Sequence, residues 1–225
     1  MTTVLLIGAS RGIGLELARQ YLEDGWRVIA TARFDEGLVR LQSMGAEPLL
    51  LDVADPSSNS GLARQLGGEK IDLAIYIAGA MDRNSASTPP TQEIFDAVMH
   101  TNVMGAMQVL PQIMPMVQET QGVMACISSV MGSMQDTRSG NAALYRVSKA
   151  ALNMVVRCIQ AEQADITVLA MHPGWVQTDM GGPQAPLTVK QSTSSLRQTL
   201  ERIRTQPQPE DRGAFLNHDG TPLPW

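Results

Sequence analysis

Short apolar runs recur along the 225-residue chain, separated by longer stretches whose apolar residues repeat at helical spacing. Residues 4–7, 27–30, 48–51, 73–77, 123–127 and 166–170 form six such runs, each nearly continuous in apolar side chains. A strand with one wet face alternates, whereas a strand covered on both faces does not, so these six read as buried strands of a parallel sheet. Ile13, Leu17, Ala18, Tyr21 and Leu22 share a helical face, and Gly25 stands where that helix would end before the second strand. The alternation of strand and helix predicts a doubly wound α/β fold. One more short strand near residues 214–216, in the Pro-rich tail that begins at Gln206, would lie at the sheet edge. Loops are expected at 83–92, 133–141 and 181–188; the last two follow strand ends, where open α/β sheets bind their ligands. No repeat or shift of composition divides the chain, so residues 1–225 read as one domain.

Composition changes this picture little and narrows the function. Apolar residues make up 44% and charged residues 17%, the balance of a globular chain and not of a disordered one. The net charge is −5, and Arg11, Arg19, Arg27, Arg33 and Arg40 are spread singly, which gives no footprint for nucleic acid. No stretch approaches the roughly 20 apolar residues of a membrane helix. Residues 1–7 carry no basic region ahead of their apolar run, so a secretory signal is not expected. Cys126 and Cys158 both sit in apolar runs and read as reduced core residues, not as a disulfide or a metal site, in a cytoplasmic protein. Met104, Met107, Met114 and Met116 read as core filler.

The first strand leads into Gly8-Ala9-Ser10-Arg11-Gly12-Ile13-Gly14 and then a helix. A glycine turn at a helix N-terminus presents unpaired amides to a phosphate, and glycines let the backbone approach it closely. The G-x-x-x-G-x-G spacing is not the widespread G-x-G-x-x-G, and alone it is equally a tight turn without a ligand. Sites selective for NAD place an acid near the end of the second strand. Here that segment is Ala30-Thr31-Ala32-Arg33, with no acid before Asp35. Arg11 and Arg33 would suit a 2′-phosphate and favour NADP(H) over NAD(H), unless both are plain surface charges.

Tyr145 and Lys149 stand four apart in a segment of helical character, so phenol and ammonium can face one place. A phenol titrates near ~10, and an ammonium beside it would bring that value toward the working range. Tyr-x-x-x-Lys alone says little. In order along the chain come the turn Gly8 to Gly14, Asp52-Val53, Ala78-Gly79, Asn102 in Thr101-Asn102-Val103-Met104-Gly105, Ser128-Ser129, Tyr145 with Lys149, and Pro173-Gly174. Together they make the sequence resemble the short-chain dehydrogenase/reductase family over almost its entire length. His172 to Gly182 and the ending from Asp219 to Trp225 are similar to the small C-factor-like subgroup.

The resemblance implies a single Rossmann-type domain of about seven strands with helices on both faces, and a carbonyl–alcohol oxidoreductase. It implies Tyr145 as general acid and base, Lys149 on the nicotinamide ribose, Ser129 on the substrate oxygen, and Asn102 holding a water that connects Lys149 to solvent. The same likeness puts Gly8, Ser10, Arg11, Gly12, Ile13, Gly14, Arg33, Asp52, Val53, Ala78, Gly79, Tyr145, Lys149, Pro173, Gly174, Val176 and Thr178 around the dinucleotide. Family members commonly pair through the helices of Asn102 and Tyr145, which implies a homodimer or homotetramer. From the residues alone, Asn102 is also a candidate helix cap and Ser129 a turn serine, while His172 reads as structural.

Two departures stand out. Tyr76-Ile77 replaces the Asn-Asn that usually precedes Ala-Gly, and Ile77 cannot supply the bracing hydrogen bonds of an asparagine. The loop between Ser129 and Tyr145 is long; Gln135, Asp136 and Arg138 either border the substrate or are simply exposed. The substrate loop is expected at about 180–195. The second functional reading is a cofactor-binding signalling or sensor protein with little turnover.

Overall fold

The computed structural model describes residues 1–225. Seven parallel strands form one sheet: β1 (Thr3–Ile7), β2 (Arg27–Ala32), β3 (Glu47–Leu50), β4 (Leu73–Tyr76), β5 (Val123–Ile127), β6 (Thr167–His172) and β7 (Phe215–Asn217), in the order β3-β2-β1-β4-β5-β6-β7. The helices are α1 (Gly12–Glu23), α2 (Asp35–Ser43), the short α3 (Pro56–Asn59) and α4 (Leu62–Leu66), α5 (Gln92–Met99), α6 (Gly105–Gln118), α7 (Ala143–Glu162) and α8 (Val189–Thr205). This is the Rossmann-like, doubly wound arrangement that the strand–helix alternation predicts.

The continuous apolar runs have a direct cause. Along β1, Leu5 and Ile7 face a core shared with α4, α6 and α7, while Val4 and Leu6 face a second core shared with α1, α2 and α8. The same alternation serves β4 and β5, where Tyr76 and Cys126 belong to the first core and Ile75 and Ala125 to the second. Both sheet faces are dry, so both sets of alternate positions must be apolar. Gly25 ends α1 as expected: at φ +77 it donates to Leu22 O while Trp26 donates to Tyr21 O, a left-handed glycine cap.

Several expectations change. β3 is not covered on both faces: it is the edge strand, with Glu47 and Leu50 exposed and Pro48 and Leu49 only half-buried. β2 and β6 run two residues further than their apolar runs, and Ile77 and Ile166 fall just outside their strands. Cys126 is buried, but Cys158 is exposed, since it lies on the outer face of α7 with Val147 and Met154. Met107 is likewise exposed on α6, not core filler, while Met116 is buried. The expected loop of 180–195 ends at Thr188, whose side chain and Gln191 close a capping box that starts α8. No helix is long and apolar enough to cross a membrane.

Candidate active site

All strands run the same way, so the segments after β1, β2, β3, β4, β5 and β6 emerge along one edge. That edge carries every strand-end residue singled out from the sequence. The chain changes direction between β1 and β4, which are neighbours although β2 and β3 intervene in sequence, and such a switch point opens a crevice.

The glycine turn forms one bank. Gly8 N donates to Thr31 Oγ1 at 2.9 Å and Ala9 N to Thr31 O at 2.8 Å, which ties the turn to the end of β2. Gly8 has φ +92, and a β-carbon there would stand 2.8 Å from Ala78 N. At Gly14 a β-carbon would be 2.4 Å from Gly8 O, so α1 can meet β1 only through glycine. Arg11 caps α1 in an extended conformation without a side-chain bond, and the amides of Gly12, Ile13 and Gly14 have no carbonyl to receive them. Ser10 O accepts from Arg40 Nη1 at 2.9 Å. Arg11 pairs with Asp179 at 3.0 Å, both exposed, and Arg33 is exposed with its guanidinium 4.9 Å from the Phe34 ring. The two arginines share the bank but not a common contact.

Asp52 and Val53 follow β3. The Asp52 carboxylate accepts from Ala54 N and Val53 O accepts from Asn59 Nδ2, so both are set by local turns. On the far side, Pro173 O accepts from Ser192 Oγ and Gly174 takes φ +83. Val176 pairs with Leu187, which folds the loop back, and the Thr178 methyl lies 3.4 Å from where a Gly12 β-carbon would be. Thr178 therefore lies beside the glycine turn.

The second bank is made of buried polar side chains. Lys149 Nζ donates to Ile127 O at 2.8 Å, and one turn later Asn153 Oδ1 accepts from Ser128 Oγ. α7 is thus bonded to the end of β5 immediately before Ser129. Lys149 is 3% exposed; burial lowers its pKa to about 8, with Cys126 pulling slightly the other way. Its ammonium lies 5.7 Å from the centre of the Tyr145 ring. Tyr145 is 7% exposed, and burial pushes its pKa up to about 12 while the Ser129 hydroxyl pulls it down. The expectation that Lys149 brings the phenol toward the working range is corrected: the ammonium lies 5.7 Å from the ring centre, and burial of the phenol sets the direction of its shift.

Asn102 is fully buried in a π-helical turn, His100–Met104, between α5 and α6. Its amide accepts from Ala80 N at 2.7 Å and donates to Ala80 O and Ser148 Oγ, each at 2.8 Å. It is therefore a cross-link, not a helix cap. Its Oδ1 and Lys149 Nζ lie 3.5 and 3.6 Å from where a Gly79 β-carbon would stand, so Gly79 keeps open the space between them. Ser129 Oγ accepts from Met131 N at 3.1 Å, the turn contact also anticipated, and faces Tyr145 as well. His172 has an unpartnered buried Nδ1, and burial lowers its pKa to about 4, so it is neutral. Ser133 Oγ and Gln135 N donate to Trp225 O, which pins the long loop to the tail although residues 134–141 are exposed. The roles of Thr31, Asp179 and Ser148 are not readable from sequence, because each is defined by a partner distant in the chain.

A model of the short chain dehydrogenases matches residues 2–186. The chain belongs to that family. Among short-chain dehydrogenases it is 30% identical, over the full length of both chains, to the 1-hydroxy-2-glutathionyl-2-methyl-3-butene dehydrogenase of Rhodococcus sp. strain AD45. It is 35% identical to the NADPH-dependent pterin aldehyde reductase of Arabidopsis thaliana, covering 79% of this chain and 76% of that one. It is 38% identical to the C-signal of Myxococcus xanthus, covering 55% and 74%. A short-chain dehydrogenase/reductase of Burkholderia multivorans solved with bound NADP superposes with TM-score 0.89 at 31% identity, covering 100% of this chain and 99% of that one. The carbonyl reductase Sniffer of D. melanogaster superposes over the whole of both chains with TM-score 0.90 at 25% identity. The chain is thus an oxidoreductase-family member with C-factor-like relatives.

Proposed function

We propose that this short-chain dehydrogenase uses NADP(H) to interconvert an aldehyde or ketone with its alcohol. One observation carries the reading: Ser129, Tyr145 and Lys149 gather at the end of β5, across the crevice from a glycine turn with three unpartnered amides. The turn fits a dinucleotide, since Gly8 and Gly14 leave no room for a β-carbon and the amides of Gly12, Ile13 and Gly14 open α1. Gly8, Ser10, Gly12, Ile13 and Gly14 would hold the pyrophosphate, with Thr178 beside them. Arg11 and Arg33 would hold a 2′-phosphate, Arg11 exchanging Asp179 for it. Asp52 and Val53 would border the adenine; Ala78, Gly79, Pro173, Gly174 and Val176 would line the rest. The chemistry supplied by the bound nicotinamide is donation or acceptance of a hydride.

Tyr145 stays protonated at neutral pH, so in reduction its phenol gives a proton to the carbonyl oxygen, and Ser129 donates a hydrogen bond to the same oxygen. Lys149 carries its charge below about 8 and would replace Ile127 O by ribose hydroxyls. Asn102 holds Ala80 and Ser148 in place around it. The NADP bound by the Burkholderia multivorans neighbour and the NADPH dependence of the Arabidopsis reductase support the choice of cofactor.

The test is NADPH consumption with a panel of aldehydes and ketones. Tyr145→Phe should lower kcat about 10³-fold while NADPH affinity stays within roughly threefold. Equal turnover in the variant, or no NADPH binding by the wild type, removes the proposal. The likeness to the C-signal favours a second reading, a cofactor-binding signalling protein, which predicts NADPH binding without turnover on any carbonyl. Val147 and Met154 on α7 and Met107 on α6 are exposed on the two helices flanking the site, and there a second copy would pack in a homodimer or homotetramer. A monomeric mass by light scattering would exclude that pairing.

A further inference from the structure

The π-turn that carries Asn102 bonds Gly105 N to His100 O, five residues back. Such a turn shifts the hydrogen-bond ladder of the surrounding helices, and it persists where neighbouring groups brace it. The brace here comes from the sheet. Tyr76, the last residue of β4, donates its phenol to Thr101 O at 2.7 Å. Thr101 O belongs to the peptide that leads directly into Asn102.

Three further facts show that the contact is built. Tyr76 is 1% exposed, and its phenol is held well above its ordinary pKa by burial first and by Cys126 and Asp52 after it, so it is a neutral donor at any working pH. Gly105 makes the space: a β-carbon there would stand 2.6 Å from the phenol oxygen and 2.6 Å from Val53 O. Beyond the braced peptide, the Asn102 amide has all three of its contacts fixed, two on Ala80 and one on Ser148, and Ser148 Oγ also donates to Tyr145 O. A shift of the Thr101–Asn102 peptide would therefore be felt at Ala80, at Tyr145 and beside Lys149.

We infer that Tyr76 is a positioning residue of this site: its phenol, by holding the Thr101–Asn102 peptide, sets Asn102 between Ala80 and Ser148 on the flank of Lys149. Ile77 packs in the opposite core and supplies no polar group, so the brace from β4 to the π-turn is the work of Tyr76. Only the kinetic readout of this inference rests on the proposed reductase activity.

Tyr76→Phe keeps the ring and removes the bond. Exchange of the Ala80 amide, which Asn102 receives, should quicken about tenfold in this variant, while the amides of β1 and β5 keep their protection. With a carbonyl substrate kcat should fall about tenfold and KM for NADPH stay within roughly twofold. Placed on Asn102→Ala, the same substitution should cost kcat nothing more, because its effect passes through Asn102. Gly105→Ala, which crowds the phenol oxygen from the other side, is the second variant and should reproduce the Ala80 signature should Tyr76→Phe fail to fold. Unchanged Ala80 exchange in the folded variants, or kcat losses that multiply in the double variant, would overturn the assignment. A wild type with no turnover defeats the proposed function alone; Ala80 exchange then decides the role of Tyr76 by itself.

Discussion

On the β1–β2 bank of the crevice the working groups are backbone amides, and what matters is the side chains that are missing. On the β4–β5 bank they are side chains taken out of water: Lys149, Tyr145, Asn102 and the hydroxyls of Ser128, Ser129 and Ser148. The first bank is held by sterics and by two amide hydrogen bonds to Thr31. Its geometry is fixed as soon as Gly8 and Gly14 let α1 close on β1, and it buries no charged side chain. The second bank is held by hydrogen bonds that offset the cost of burying polar groups, so it stores instability that the rest of the fold must cover.

This contrast can be broken most sharply at Gly14. A β-carbon there meets Gly8 O at 2.4 Å and Ala9 Cα at 2.7 Å, both backbone, so neither neighbour can yield by a rotamer change. Gly14→Ala should cost about 3 kcal/mol in urea unfolding and remove measurable NADPH binding. A variant as stable as the parent would mean that the bank is not sterically fixed.

On the opposite bank the sign reverses. Burial brings Lys149 from an ordinary value of 10.5 down to about 8, so between these values the unfolded chain binds the extra proton and the folded one does not. Stability should rise with pH through that window, and below about 8 the whole penalty of the buried charge is present, on the order of 3 kcal/mol. Lys149→Met should abolish turnover yet raise stability at pH 7 by about 1–2 kcal/mol, once the lost bond to Ile127 O is counted, with the gain fading by about pH 10. A loss of stability at pH 7 would show that the Ile127 O bond outweighs desolvation.

The smallest effect belongs to the cofactor's selectivity. Arg33 is exposed and makes no ion pair in the fold, so Arg33→Ala should leave thermal stability unchanged. It should weaken NADPH about tenfold by titration calorimetry and leave NADH alone, the value of one charge-assisted phosphate contact. Equal losses for both cofactors would place Arg33 away from a 2′-phosphate.

The two banks also differ in how openly the sequence announces them. Glycine states its own requirement, so the turn from Gly8 to Gly14 is readable without a fold, and Tyr145 with Lys149 is readable from helical spacing. Five of the strands follow from apolar runs because both of their faces are dry, while the run at β3 is apolar although its ends are exposed. What the sequence hides is whatever depends on a distant partner: Thr31 under Gly8, Asp179 on Arg11, Ser148 under Asn102. It also hides helical phase where apolar letters crowd, as around Cys158, whose neighbours Val156 and Ile159 turn inward while it faces out. The phenol pKa is illegible for a third reason. Spacing brings Lys149 near Tyr145 but does not reveal that burial of the phenol raises its pKa.

The seam between β1 and β4 has a consequence for how the molecule is made. Val4 pairs with Leu73, so β1 waits for about seventy residues of chain before its second neighbour exists. No hairpin can nucleate such a sheet, since parallel neighbours need crossovers. At a ribosomal pace of roughly 5–20 residues per second, one edge of β1 stays open for several seconds, long enough for a chaperone to find it. The crevice lies on that same seam. The proposed dinucleotide site is therefore complete only when the longest connection between paired strands has closed.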